Sequence, residues 1–184
     1  MIDIVEERYI GTKGDYEHKR ILKKILDIGC MDKNPRPKYA DGTPAHTISY
    51  NGDMSQYDLS KGEFPIITLR PIATKFAIGE ILWIYQDQTT DLDVLKDKYG
   101  ITWWNDWCLP NTRSIGSVYG ATVKRWDLVN NLINGIKKDP DGRRHIMSLW
   151  QEEAFKEPHG LKPCAFLTMW NVRHGKDGID YLDM

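Results

Sequence analysis

The chain has 184 residues, of which 41% are hydrophobic and 28% charged, an ordinary balance for a water-soluble globular protein. Its formal net charge of −1 gives no general attraction to nucleic acid or to an anionic membrane. No apolar run approaches the roughly 20 residues of a membrane-spanning helix. Residues 1–10 lack a signal-peptide pattern, and the three cysteines form no metal-type pair. We therefore expect one cytoplasmic domain over residues 1–184, with no metal site.

The first part of the chain predicts one helix followed by strands. Residues 16–28 carry apolar side chains at helical spacing, which predicts an amphipathic helix. Prolines and a glycine in residues 34–43 predict a loop, and this loop carries Arg36. An arginine in such a loop is either a solvated side chain or an anion contact. Residues 46–50 and 64–69 are rich in β-prone side chains and predict strands.

A second helix is predicted over residues 75–86. Ile78, Ile81 and Leu82 have the spacing of a buried stripe on this helix. Glu80 sits among these apolar neighbours. Its carboxyl is either half-buried, which would suit it to proton transfer, or turned sideways to solvent.

The remaining elements complete a sheet with helices on one side. Apolar spacing predicts helices over 91–98 and 127–138, and strands over 146–150, 166–172 and 179–184. The strand over 166–172 is apolar on both alternating sides, so we expect both of its faces to be largely buried. This order of elements predicts an α+β fold. The last strand has neither a turn nor a helix after it, so we expect a chain that is cut rather than finished.

Three groups of residues are candidates for chemistry. Cys164 directly follows Pro163 and directly precedes a strand, so it is either a nucleophile at the mouth of that strand or a small buried hydrophobe. Arg143 and Arg144 stand between a turn and a strand. They form either an exposed charge pair or a bidentate phosphate site. Four tryptophans within residues 83–107 form either a core or a wall for a flat aromatic ligand.

Seven short stretches, taken in order, resemble the thymidylate synthase family. They are DGTPAHTIS at 41–49, FPIIT at 64–68, EILW at 80–83, WNDW at 104–107, VYG at 118–120, DPDGRR at 139–144 and PC at 163–164. Each stretch is common alone, but the order and spacing of all seven are specific. The resemblance spans about residues 16–184.

The resemblance implies a reaction and a set of roles. It implies an α+β fold with a mixed or antiparallel sheet, and reductive methylation of dUMP to dTMP with 5,10-methylenetetrahydrofolate. Cys164 would be the nucleophile, Glu80 the proton-relay carboxylate and Tyr119 a neighbour of the cysteine. Arg143 and Arg144 would bind the substrate phosphate across a homodimer, in the partner's site.

Further roles follow from the same resemblance. Trp104 and Trp107 would wall the folate, and Arg70 occupies the place of a family lysine near the folate tail. Gly42 replaces an early arginine of the family, and Arg36 would take over the role of that arginine in binding substrate.

The resemblance covers the first two-thirds of a typical family member. The last third of such members carries residues that bind the base and the sugar, so we expect the 184-residue chain alone to be inactive or weakly active. Two alternatives stay open at this point. One is a dUMP or dCMP hydroxymethylase of the same family, which adds water where the synthase adds hydride. The other is a non-catalytic fragment that acts as a binding module, with a complementary C-terminal fragment as its partner.

Overall fold

A computed structural model describes residues 11–156 and 160–184. The prediction made for residues 1–10 lies outside the described residues. The chain divides into two compact units, Met1–Ile72 and Ala73–Met184. The interpretation of residues 1–184 as one domain stays a prediction.

In the first unit, helix α1 spans Lys13–Ile28 and confirms the predicted helix, with three more residues at its start. Thr12 begins the helix through a capping box with Asp15. Strands β1 (Cys30–Met31) and β2 (Ile48–Ser49) form a short antiparallel pair. Strand β2 confirms only the centre of the strand predicted over 46–50.

The strand predicted over residues 64–69 is wrong, because this segment is irregular in the structure. The side chain of Asp15, which is buried, accepts hydrogen bonds from the Thr68 amide at 2.6 Å and the Thr68 hydroxyl at 2.7 Å. These bonds, together with bonds from Thr12, hold the pKa of Asp15 well below its usual range. The Thr68 amide is therefore bonded to a side chain of α1 and is not available for pairing with a neighbouring strand.

Among the described residues, the second unit contains four α-helices around an apolar core. They are α2 (Thr74–Tyr85), α3 (Leu92–Tyr99), α4 (Gly120–Arg125) and α5 (Leu128–Lys138). Helices α2, α3 and α5 confirm the three predicted helices to within one residue. The fully buried side chains of the core include those of Trp83, Leu92, Leu95, Ile101 and Val123.

The buried stripe predicted on α2 is wrong. Ile78 and Ile81 are both about half exposed, while Trp83 and Ile84 are the apolar side chains of this helix that are buried. Since α2 is apolar almost all round, spacing alone does not select the face that packs. Glu80, in contrast, is half-buried, which confirms the first of the two interpretations given for its position.

Three antiparallel strands form the sheet of the second unit. Strands β3 (His145–Ser148), β4 (Leu167–His174) and β5 (Asp180–Asp183) lie in the order β3-β4-β5. Helix α5 contacts β3, so a helix covers one face of the sheet, as the α+β prediction required. The opposite face is open: Leu167 is 46% and Met169 52% exposed, so the expectation that both faces of β4 are buried is wrong.

No helix among residues 11–156 and 160–184 is long and apolar enough to cross a membrane.

Candidate active site

Cys164 is exposed and lies three residues before β4. Its backbone N–H donates a hydrogen bond of 2.8 Å to the hydroxyl oxygen of Tyr119. Pro163, just before it, is buried and restricts the approach of the chain. The backbone at Cys164 is therefore fixed on both sides while the thiol stays accessible, and the interpretation as a buried hydrophobe is wrong.

Tyr119 is held in an uncommon backbone conformation. Its φ of 44° lies in the left-handed region, where a non-glycine residue costs on the order of 1–3 kcal/mol. The next residue, Gly120, begins α4 against the backbone of Thr89: a Cβ at Gly120 would lie 2.2 Å from the Thr89 carbonyl oxygen. The VYG stretch thus combines a close approach that only glycine permits with a strained tyrosine. The result is a buried Tyr119 ring, 5% exposed, whose hydroxyl meets Cys164.

The indole rings form a cluster that extends from Tyr119. The 3-10 turn Trp103–Trp107 carries three of them. The ring of Trp104 meets the Tyr119 ring edge-on, with centroids 5.7 Å apart and planes at 84°. It also lies 6.0 Å from buried Trp83 and 6.2 Å from Trp107. Edge-on pairs are a favourable geometry for aromatic rings, so the cluster fixes Trp104 next to Tyr119.

Glu80 joins this cluster from α2. Its Oε2 accepts a hydrogen bond of 2.8 Å from Trp104 Nε1 and one of 2.9 Å from Trp103 Nε1. A continuous series of contacts therefore connects Glu80 to Cys164 through Trp104 and Tyr119. The structure thus brings together five predicted site residues, which are Glu80, Trp104, Trp107, Tyr119 and Cys164.

The two arginines lie elsewhere. His145, which follows Arg144, pairs with Trp170, whereas the Leu149 amide bonds to the Phe166 carbonyl, near Cys164. Residues 145–149 span roughly 13 Å of extended chain, so the arginines and the cysteine lie at opposite ends of the β3–β4 pair.

Both arginines are solvent-exposed side chains. Neither Arg143 nor Arg144 forms an ion pair with another residue of the described ranges. Their guanidinium groups are therefore accessible to an anionic ligand.

Two histidines fix the loop that precedes these arginines. His145 is buried, and its Nε2 lies 2.7 Å from the Asp139 carbonyl oxygen. His174 on β4 bonds to Asp180 at 2.7 Å and to Asp141 at 3.0 Å. These two carboxylates raise the pKa of His174.

Arg36 and Arg70 belong to the first unit, Met1–Ile72, and both are exposed. Their roles in binding ligands stay predictions.

A cavity of about 310 Å³ lies between two segments, one that includes Leu109 and Val118 and another that includes Ala154 and Leu161. Its apolar wall includes Leu109, Ile115 and Leu161. None of the predicted site residues lines this cavity, although its two segments end beside Tyr119 and Cys164 in sequence.

Sequence reasoning missed Trp103 as a donor to Glu80. The signal was weak, because four tryptophans fall within 25 residues and nothing in their spacing says which ones face a carboxylate. It also missed His174, whose partners Asp141 and Asp180 come from a loop and a strand on either side of it.

Known proteins resemble this chain over nearly its whole length. The family model of thymidylate synthase matches residues 16–183. The thymidylate synthase of Streptococcus pneumoniae (strain 70585) is 52% identical over 172 residues, which are 94% of this chain and 61% of that protein. That of Streptococcus suis (strain 05ZYH33) is 50% identical over the same shares.

Solved structures agree with the sequence matches. Thermostable thymidylate synthase A of Bacillus subtilis superimposes with a TM-score of 0.77 at 32% identity, covering 88% of this chain and 60% of that one. Thymidylate synthase of T4 phage gives 0.66 at 25% identity, covering 86% and 58%. The α+β architecture is therefore that of these enzymes.

The chain belongs to the thymidylate synthase family, because the family model matches all but its ends. It spans about 61% of the length of the curated relatives that it matches.

Proposed function

We propose that this chain carries the nucleophile and the proton-relay arm of a thymidylate synthase, which converts dUMP to dTMP with 5,10-methylenetetrahydrofolate. The observation that carries the proposal is the exposed sulfur of Cys164 at the end of the contact series to Glu80. The family match and the names of the relatives support this reaction.

The sulfur acts on the pyrimidine ring. C5 of uracil is a poor nucleophile, but a thiolate that adds to C6 forms an S–C6 bond and moves the electrons of the C5–C6 double bond toward C5. Once C5 has bonded to the one-carbon unit and lost its proton, that carbon separates from the folate nitrogen and accepts a hydride. The C5–C6 double bond then re-forms, the S–C6 bond breaks and Cys164 is regenerated. A sulfur that forms and breaks this bond must be accessible, as that of Cys164 is.

Glu80 handles protons at the pyrimidine O4, through water. Both of the indole donors reach Oε2, so Oε1 is the oxygen that Glu80 presents for proton transfer. The half-buried position limits the water that competes for this oxygen.

Arg143 and Arg144 bind the substrate phosphate in the site of a second copy of the chain. Their separation from Cys164 along the β3–β4 pair supports this arrangement, because one chain alone does not bring the two groups together. The proposed assembly is accordingly a homodimer. Arg36 joins them as a further phosphate ligand, a role that rests on the resemblance alone.

The folate supplies the one-carbon unit and the hydride when it is bound. The chain offers a surface that fits a flat heterocycle: Trp107 is 42% exposed and lies beside Trp104 in the indole cluster. We propose that these two rings, with Arg70 near the acidic tail, hold the folate. The three free cysteines support a cytoplasmic location.

The names of the relatives favour the synthase over the hydroxymethylase, since all of the curated relatives cited are thymidylate synthases. The alternative of a non-catalytic binding module differs from both enzymes in one respect. It predicts no covalent chemistry at Cys164.

Covalent trapping tests the proposal without requiring turnover. In 5-fluoro-dUMP a fluorine replaces the C5 proton whose loss must precede release of the sulfur and of the folate, so both ligands stay attached. With methylenetetrahydrofolate and a complementary C-terminal fragment present, we expect intact-mass spectrometry to show one nucleotide and one folate attached through Cys164. Cys164→Ser should prevent attachment, while Cys30→Ser, which changes another exposed cysteine, should leave it unchanged. Absence of an adduct, or its presence in the Cys164→Ser protein, would contradict the proposal.

A further inference from the structure

Glu80 has two indole donors on the same oxygen. Trp104 is the one that the family resemblance singles out, and the second donor is Trp103, at 2.9 Å. Hydrogen bonds to an ionised carboxylate are about twice as strong as bonds between neutral groups. Two of them on Oε2 fix both the rotamer of Glu80 and the oxygen that points away from the indoles.

The position of Trp103 is itself fixed. Its ring is 46% exposed, yet its edge packs against Phe76 on α2, with centroids 5.8 Å apart and planes at 84°. Phe76 and Glu80 are one turn apart on the same helix. Trp103 thus contacts α2 at two points, and its N–H points at the carboxylate because of the ring contact.

An indole N–H donates a hydrogen bond but accepts none. Trp103 therefore cannot receive a proton from Glu80 and can only stabilise its charged form. Among the described residues no group bonds to Oε1, so the two indoles leave one oxygen of Glu80 available for a reacting group.

We propose that Trp103 is a positioning residue that, together with Trp104, holds Oε2 of Glu80 so that Oε1 alone serves proton transfer. The inference rests on the proposed function, because it assumes that Glu80 moves protons during the reaction. Its structural half, a shared carboxylate acceptor for two indoles, can be tested without any reaction.

The first experiment measures indole N–H resonances in protein whose seven tryptophans carry ¹⁵N. Trp103→Phe and Trp104→Phe assign the two resonances. We expect Glu80→Gln, which removes the charge of the shared acceptor, to shift both resonances. The N–H of Trp126 bonds to the neutral side chain of Gln151 and serves as the internal control that does not respond.

If the Trp103 resonance does not move in the Glu80→Gln protein while the Trp104 resonance does, the inference is wrong. This readout requires no substrate, so such a result leaves the proposed function standing. Conversely, a response of both resonances to Glu80→Gln with no adduct at Cys164 would contradict the proposed function alone.

The second experiment measures the rate of attachment of 5-fluoro-dUMP against pH. Trp103→Phe retains a ring against Phe76 but removes the donor. We expect the rate at saturating nucleotide to fall about tenfold, with a changed acid limb of the pH profile, since a bond to a charged group is lost. The nucleotide concentration that gives half the maximal rate should stay within about twofold of the wild-type value, because Glu80 acts after binding.

Trp126→Phe is the matched control, because it removes an exposed indole that donates to a neutral group. This variant should change neither the rate at saturating nucleotide nor the half-saturating concentration. If Trp103→Phe alters only the half-saturating concentration, Trp103 contacts ligand instead of positioning Glu80, and the inference is wrong.

Discussion

The region around Cys164 and the region around Arg143 and Arg144 are built in opposite ways. The first is assembled within one chain, where a buried tyrosine, an indole cluster and a half-buried carboxylate contact one another. The second consists of exposed guanidinium groups at the far end of the β3–β4 pair. On the proposed function, the reacting groups are held in a fixed internal geometry, whereas the arginines proposed to bind the phosphate are exposed to a ligand outside this chain's own cluster.

The largest expected effect comes from two variants, one without the cysteine and one without the two arginines, which are tested separately and then mixed. Cys164→Ser has no nucleophile, and the double variant R143A/R144A should lose phosphate binding by a factor on the order of 100 or more. Neither should form the 5-fluoro-dUMP adduct under conditions where the wild type does. Mixed and refolded together, they should form heterodimers in which the intact cysteine of one chain meets the intact arginines of the other.

Random pairing in a two-fold symmetric dimer would then restore about a quarter of the wild-type adduct per chain. Intact-mass spectrometry measures this fraction, and capture through a tag on one variant verifies that mixed dimers formed. If mixed dimers are present without any adduct, the arginines act within their own chain, and the proposal that they bind phosphate in the partner's site is wrong.

An intermediate effect is expected at the contact that holds the cysteine. Tyr119→Phe removes the hydroxyl oxygen that accepts the Cys164 N–H, which costs about 1 kcal/mol of stability. Because the backbone at the nucleophile then shifts, adduct formation should slow about tenfold. Stopped reactions analysed by mass spectrometry give this rate.

Tyr99→Phe is the matched control. Its hydroxyl donates to the Asp87 carboxylate at 2.8 Å, so the variant loses a bond that is at least as strong, in the same unit, without touching Cys164. Equal slowing in both variants would mean that general destabilisation, rather than the position of the cysteine, sets the rate.

The sequence predicted local elements better than it predicted contacts. Helices α2, α3 and α5 follow from apolar spacing and from local stops such as Gly100, and they were placed to within a residue. The strand over 64–69 failed because Asp15, some fifty positions away, takes the amide of Thr68. No local pattern contains that bond.

The residue types of the site were also readable from order and spacing, but their arrangement was not. Seven stretches in sequence pointed to Cys164, Glu80 and the two arginines. To predict that the cysteine and the arginines lie apart, one must know the register of β3 on β4, which the sequence does not give. The donor role of Trp103 requires the packing of a 3-10 turn on α2, which its sequence does not distinguish from that of its neighbours.

The smallest expected effect concerns how the two regions are anchored. Cys164 is held by a neutral hydrogen bond, but the loop before the arginines is held by His174 between Asp180 and Asp141. The same hairpin also carries Arg173, which pairs with Asp183, and Asp177, which accepts a hydrogen bond from the Tyr181 hydroxyl. Asp180 above all, and then Asp141, raise the pKa of His174 from its ordinary value of 6.5.

The stability that the protonated histidine adds is therefore fully present below pH 6.5 and is lost as the pH rises through the raised pKa. Thermal unfolding should show His174→Asn melting slightly below the wild type near about pH 6 and level with it near about pH 9. Asp141→Asn should show a smaller difference of the same sign, since Asp180 remains. A melting difference for His174→Asn that does not change with pH would show that the arginine loop, like the cysteine, is anchored by neutral contacts.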